Sequence, residues 1–171
     1  MIQNINKKVY LLYIVSGEKI LLRKNIHQNI NTFDVFNLHM ENEDIQKSIK
    51  QKLKDIFSNN YNDSFKVVDF GKIFSNIKKD GYNVNIEIEA FKLNLSESLH
   101  FNTSYRDDLV SEDNNLEWID KNFILVNNEN FREGDKKVLL RVFENRKLNI
   151  KMEELQPEKW IEAKLLKWED L

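Results

Sequence analysis

Ile45, Ile49, Leu53 and Ile56 recur at spacings of four, four and three, and this stripe limits the possible folds more than any other feature of the chain. Successive residues of an α-helix advance by about 100°, so side chains at these spacings share one face. Gln46, Lys47, Lys50, Gln51 and Lys54 fall on the other side. The segment from Met40 to Asn59 therefore reads as one amphipathic helix, introduced by acidic residues, with its apolar face turned to a core. Ser58-Asn59-Asn60 ends it.

The segments around this helix follow a different period. Lys8 to Val15 and Glu18 to Arg23 are apolar and rich in β-branched residues, and Ser16-Gly17 between them reads as a hairpin turn. Thr32 to Phe36 is a candidate short strand. Phe65 to Phe74 and Tyr82 to Leu95 are the next strands, with a turn over Lys78 to Gly81. In the second of these, Val84, Ile86, Ile88 and Ala90 alternate with Asn85, Glu87 and Glu89, a period of two. A polar stretch from Ser96 to Asn115 reads as a long loop. Leu116 to Ile119 is a short strand, and Glu133 to Asn145 a helix with Val138, Leu139, Val142 and Phe143 inward.

The tail is read separately. Pro157, the only proline, suits the first turn of a helix. Ile161, Leu165 and Trp168 then form an i, i+4, i+7 stripe, which predicts a C-terminal helix packed on the domain or on a second subunit. The expected organisation is one α/β domain over residues 1–150 with a helical extension over 151–171.

Bulk properties narrow the function. A net charge of −2 gives no electrostatic case for a nucleic acid polymer, which favours a basic stripe. The absence of cysteine excludes disulfides, thiolate catalysis and Cys-ligated zinc. No apolar run is long enough to span a membrane, and Val9 to Val15 is too short for a secretory signal. The expected compartment is the cytoplasm. Four unclustered glycines exclude the usual glycine-rich phosphate loops.

Two short motifs carry a family resemblance. Leu116-Glu117-Trp118-Ile119 is followed, after Asp120 to Asn130, by Phe131-Arg132-Glu133-Gly134-Asp135 at the start of the last helix. Together with the element order, this resembles the Nudix hydrolases, and among them the branch that hydrolyses oxidised nucleoside triphosphates such as 8-oxo-dGTP. Members of that branch often carry L-E-W-V and then W-E-G-D. The resemblance covers about residues 8 to 150. It implies an α/β/α sandwich on a mixed β-sheet, Mg²⁺ or Mn²⁺ as cofactor, a nucleotide or other diphosphate-linked ligand, and a possible homodimer.

The family's box is G-x5-E-x7-R-E-U-x-E-E-x-G-U, where U is aliphatic. Laid on this chain without gaps, Glu43 takes the first glutamate, Leu53 the aliphatic position and Asp55 the first member of the glutamate pair. Asn37 stands for the first glycine, Gln51 for the arginine, Lys52 for the next glutamate, Ile56 for the second of the pair and Ser58 for the closing glycine. Positions 52, 55 and 56 share a helix face. Three carboxylates there could hold Mg²⁺, which would neutralise a diphosphate and help generate a hydroxide. This chain offers one carboxylate, one ammonium and one aliphatic group.

Lys52 is unusual in lying near the middle of the apolar stripe. Either Ser48, Lys52 and Asp55 line a pocket edge, with Lys52 reaching toward Asp55 or a ligand phosphate, or Lys52 snorkels past the core rim. His39, just before the helix, is the histidine placed to meet a ligand, or else it simply lies on the surface. Glu87 and Glu89 share a strand face and could assist a metal, or simply face solvent; Glu112 and Asp113 stand in the same position. The expected function is binding of a nucleotide or diphosphate-linked ligand with a decayed metal site. The enzymatic alternative is a diphosphohydrolase rebuilt on Asp55 with Glu43, Glu87 or Glu89. A third reading assigns the tail helix a role in assembly.

Overall fold

A computed structural model of the chain describes residues 2–27, 29–39, 44–105 and 115–171, the side chain of His27 apart. Its central pair is β1 (Gln3–Ser16) and β6 (Tyr82–Leu95), which run parallel in unbroken register from Gln3 against Tyr82 to Ser16 against Leu95. The turn at Gly17 leads from β1 into β2 (Lys19–His27), and β3 (Ile30–Asp34) pairs with β2 on its outer side. The two-residue β4 (Phe36–Asn37) adds to β1. On the other flank, β5 (Val67–Lys79) is antiparallel to β6, and β7 (Asn115–Asp120) returns to pair with β2. With β8 (Ile150–Leu155) and β9 (Lys164–Asp170), the described residues form one mixed sheet whose main path is β3-β2-β1-β6-β5-β8-β9.

Helices cover both faces. Helix α1 (Ile45–Phe57) lies over one, and α2 (Lys121–Val126) and α3 (Glu133–Phe143) over the other. The apolar run in β1 is continuous because the strand is buried on both sides. Leu12 and Ile14 join Ile49, Leu53 and Ile56 of α1, while Tyr13 and Val15 join Val138, Leu139 and Val142 of α3. This is the expected α/β/α sandwich.

Caps fix the helices. Asp44 accepts hydrogen bonds from the Gln46 and Lys47 amides and caps α1 ahead of Ile45. Glu133 and Asp135 in the first turn of α3 suit its dipole. At its other end, buried Lys92 of β6 donates to the Val142 carbonyl at 2.8 Å and to Asn145 Oδ1 at 3.0 Å. Burial pulls the Lys92 pKa below the usual lysine range.

The tail corrects the sequence reading, because two strands and not an α-helix occupy it. β8 runs parallel to β5, a 3₁₀ turn spans Trp160–Glu162, and β9 closes the sheet antiparallel to β8. A bulge opposite Glu153 and Glu154 leaves Leu166 unpaired, so Leu165 opposes Glu154 and Trp168 opposes Met152. Leu165 and Trp168 therefore face the same way although three residues apart, and both pack on the chain's own core beside α3. The spacing attributed to a helix is that of a bulged strand.

Candidate functional site

The helix that aligns with the Nudix box is occupied by structural contacts at the positions that matter. Ile56 is fully buried in the core beneath α1. Asp55 is exposed, and its carboxylate accepts a hydrogen bond from Gln51 Nε2 at 2.9 Å. Lys52, half-buried, donates to the Tyr105 hydroxyl at 3.2 Å and lies 5.8 Å from that ring's centre. Residues 52, 55 and 56, expected to share a helix face, point instead to three different environments, because the consecutive residues Asp55 and Ile56 are turned about 100° from each other.

The remaining candidates are scattered. Ser48 Oγ donates to the His39 carbonyl at 2.6 Å, tying the segment before α1 to its first turn. Glu87 and Glu89 project from the sheet; Lys72 lies 3.6 Å from the first and 3.9 Å from the second, and Lys8 lies 3.8 Å from Glu89. Glu43, Glu112 and Asp113 lie outside the described residues. Among the described residues, no three His, Cys, Asp or Glu side chains converge to hold a metal ion. One carboxylate beside an ammonium and an aliphatic side chain does not fit Mg²⁺ or Mn²⁺, which require several oxygen ligands.

A different site lies across the sheet. A cleft of ≈ 370 Å³ opens between the sheet and the start of α3, walled by Leu11, Tyr13, Phe33, Ile73, Ile88, Val138 and Leu139. Asp34, Asn37, Arg132 and Asp135 supply its polar edge, and Met152 and Trp160 come from the tail. Asp34 is held by Asn25 Nδ2. The Phe131 ring stacks on Phe33 at 5.4 Å, fixing the entry to α3. Arg23, also lining the cleft, donates to the Val35 carbonyl at 3.2 Å.

Arg132 organises the edge. Its guanidinium binds Glu154 at 2.8 Å, lies 3.9 Å from Asp135 Oδ2, and sits 5.1 Å from the Trp160 ring centre. Glu154 is buried on β8, and its second oxygen, Oε1, is turned to Gly134 in the first turn of α3. The tail is also tied to α3 by the Leu165 amide, which donates to Glu133 Oε2 at 2.9 Å.

Burial shapes the charges here. It pushes the Asp135 pKa up, and Asp34 adds to the rise while Arg132 opposes it. The Asp135 side chain keeps 43% exposure through the mouth of the cleft, so its oxygens can still meet a ligand. Burial likewise raises Glu154 against the pull of Arg132, with Asp135 adding to the rise. Tyr13 is pushed well above the usual phenol range, by burial first and Asp135 second.

Arg23 and Arg132 each give a hydrogen bond to a protein acceptor, and Asp34 and Asp135 add carboxylate acceptors to the cleft between its apolar and aromatic walls. That chemistry suits a flat group bearing N–H donors. Sequence reasoning quoted Arg132 and Asp135 inside a motif but did not assign them to a site. It missed Asp34, Glu154 and Trp160. The motif was the available signal for the first two residues, whereas the tail's misread conformation concealed the last two.

The fold has solved counterparts. The mutator MutT protein from Bacillus halodurans superposes with a TM-score of 0.62 over 95% of each chain, at 16% identity. Weaker likenesses include a Nudix-family hydrolase from Clostridium perfringens, at 0.47 and 11% identity over 81% of this chain and 96% of that one. The C-terminal domain of mouse MUTYH, solved in complex with human PCNA, also gives 0.47, at 12% identity over 81% and 87%. No protein-family model and no curated protein matches the sequence. The chain has the Nudix fold.

Proposed function

We propose that this Nudix-fold chain binds a nucleotide or another diphosphate-linked ligand, seats its heterocycle in the cleft beside α3, and lacks the metal-dependent hydrolysis associated with the fold. The observation that carries this reading is the contrast between the two faces of the sheet. On one face, Lys52 and Ile56 occupy box positions where a metal would need carboxylates, and they serve Tyr105 and the core. On the other, Asp34, Asn37 and Asp135 line an open cleft with aromatic walls.

The test is calorimetric titration of the full chain with purine and pyrimidine mono-, di- and triphosphates, without divalent metal and then with Mg²⁺ or Mn²⁺. Saturable binding that weakens about tenfold or more in Asp135→Ala supports the cleft; a lost hydrogen bond to a charged group is worth about 1.5–3 kcal/mol. No binding across the panel sinks the proposal. Binding that requires metal and is unchanged in Asp135→Ala points back to α1 and to the enzymatic alternative built on Asp55.

A further inference from the structure

The tail closes the cleft in a way that bears on what it recognises. Trp160 lines the cleft although it belongs to the connection between β8 and β9, beyond the α3 motif. Among the described residues, contacts hold that connection and the start of β9 to the sandwich. The Gln156 amide donates to the Lys78 carbonyl at 2.9 Å, the Leu165 amide donates to Glu133 Oε2 at 2.9 Å, and the Arg132 guanidinium lies 5.1 Å from the Trp160 ring centre. Arg132 is itself fixed by buried Glu154 on the same tail. The indole is therefore placed by a cation–π contact whose cation has an immobile partner.

We infer that Trp160 is the specificity-determining surface of the cleft, a platform on which a flat heteroaromatic group stacks while its N–H donors meet Asp34 and Asp135. This rests on the reading of the cleft as the ligand site. Stacking selects for aromaticity and tolerates different rings, because every base presents a π-face. The acceptor edge selects against groups without donors. Together they favour the heterocyclic end of a nucleotide over a bare diphosphate, which has neither ring nor N–H donor.

Binding by the full chain, labelled with 5-fluorotryptophan, tests this by fluorine NMR with guanosine diphosphate, adenosine diphosphate and inorganic pyrophosphate as probes. Three tryptophan signals are expected, one per tryptophan, and Trp160→Phe identifies the one that matters. A nucleoside diphosphate should shift the Trp160 signal saturably, whereas pyrophosphate should not. Trp160→Ala should weaken nucleotide binding about tenfold, within the range for loss of a base–aromatic stack, and Trp160→Phe should retain most of it. Nucleotide binding that leaves the Trp160 signal unmoved overturns the inference and spares the cleft reading. No nucleotide binding by the unsubstituted chain overturns both. If Trp160→Ala does not fold, the signal shift in the unsubstituted chain decides.

Discussion

Gly134 and Glu154 are locked together: a Cβ on Gly134 would overlap Glu154 Oε1 and lie 3.2 Å from its Cδ. Alanine in a helix is ordinarily more favourable than glycine by about 1 kcal/mol. Here the carboxylate cannot retreat easily, since Arg132 binds its other oxygen and the residue is buried. Gly134→Ala should therefore destabilise the chain by about 1–3 kcal/mol, the usual cost of overpacking, as read from urea unfolding midpoints. In a Glu154→Ala background the same substitution should be neutral or stabilising. A stabilising effect in the unsubstituted chain would show that Glu154 is free to move.

Arg132 and Glu154 form an ion pair with side-chain exposures of 11% and 2%. Removing one member of such a pair leaves a buried charge without its partner, a loss of about 3–5 kcal/mol. Arg132→Ala should approach that range in denaturant unfolding. Glu154→Gln, which keeps an acceptor for the guanidinium, should cost clearly less. Equal losses would mean that packing, and not charge, dominates at this position.

The pH dependence follows from the raised pKa values of Asp135 and Glu154. Between the ordinary carboxylate range and the raised value, the folded state holds more protons than the unfolded state, so stability falls as pH rises. The contribution is fully present below the unfolded pKa and is lost as pH rises through the folded one. An Asp135→Asn, Glu154→Gln double variant removes both groups. Its stability relative to the unsubstituted chain should rise with pH across that window, measured as the difference in thermal midpoints. A difference that falls with pH would contradict the assigned direction.

Ile56 is fully buried, so restoring the family's glutamate there places a carboxylate in the core. Ile56→Glu should cost about 4 kcal/mol or more, because a buried charge without partners is among the most destabilising changes. Added Mg²⁺ should not recover the loss. Recovery by millimolar Mg²⁺ would reveal a dormant metal site in α1.

Much of the sandwich was legible in the sequence. The stripe of Ile49, Leu53 and Ile56 reports one buried face and survives in the structure, and the alternating run from Val84 to Ala90 is a strand, although Ile86 and Ile88 are only half-buried on it. The tail was misread for a local reason. A bulge shifts the strand period from two to three between Leu165 and Trp168, which mimics a helical spacing. The cleft was hidden for a different reason. Asp34, Asp135 and Trp160 come from three separated segments, and only the fold brings them together.

The central claim is that α1 has lost its chemistry while the opposite cleft keeps a ligand. Release of phosphate or pyrophosphate from nucleoside triphosphates and diphosphate-linked nucleotides, with Mg²⁺ and with Mn²⁺, tests it most directly. The account predicts no metal-dependent release, and the same background from the unsubstituted chain and Asp55→Ala. Turnover that depends on metal and disappears in Asp55→Ala would contradict it, and would show a hydrolase site rebuilt around that carboxylate.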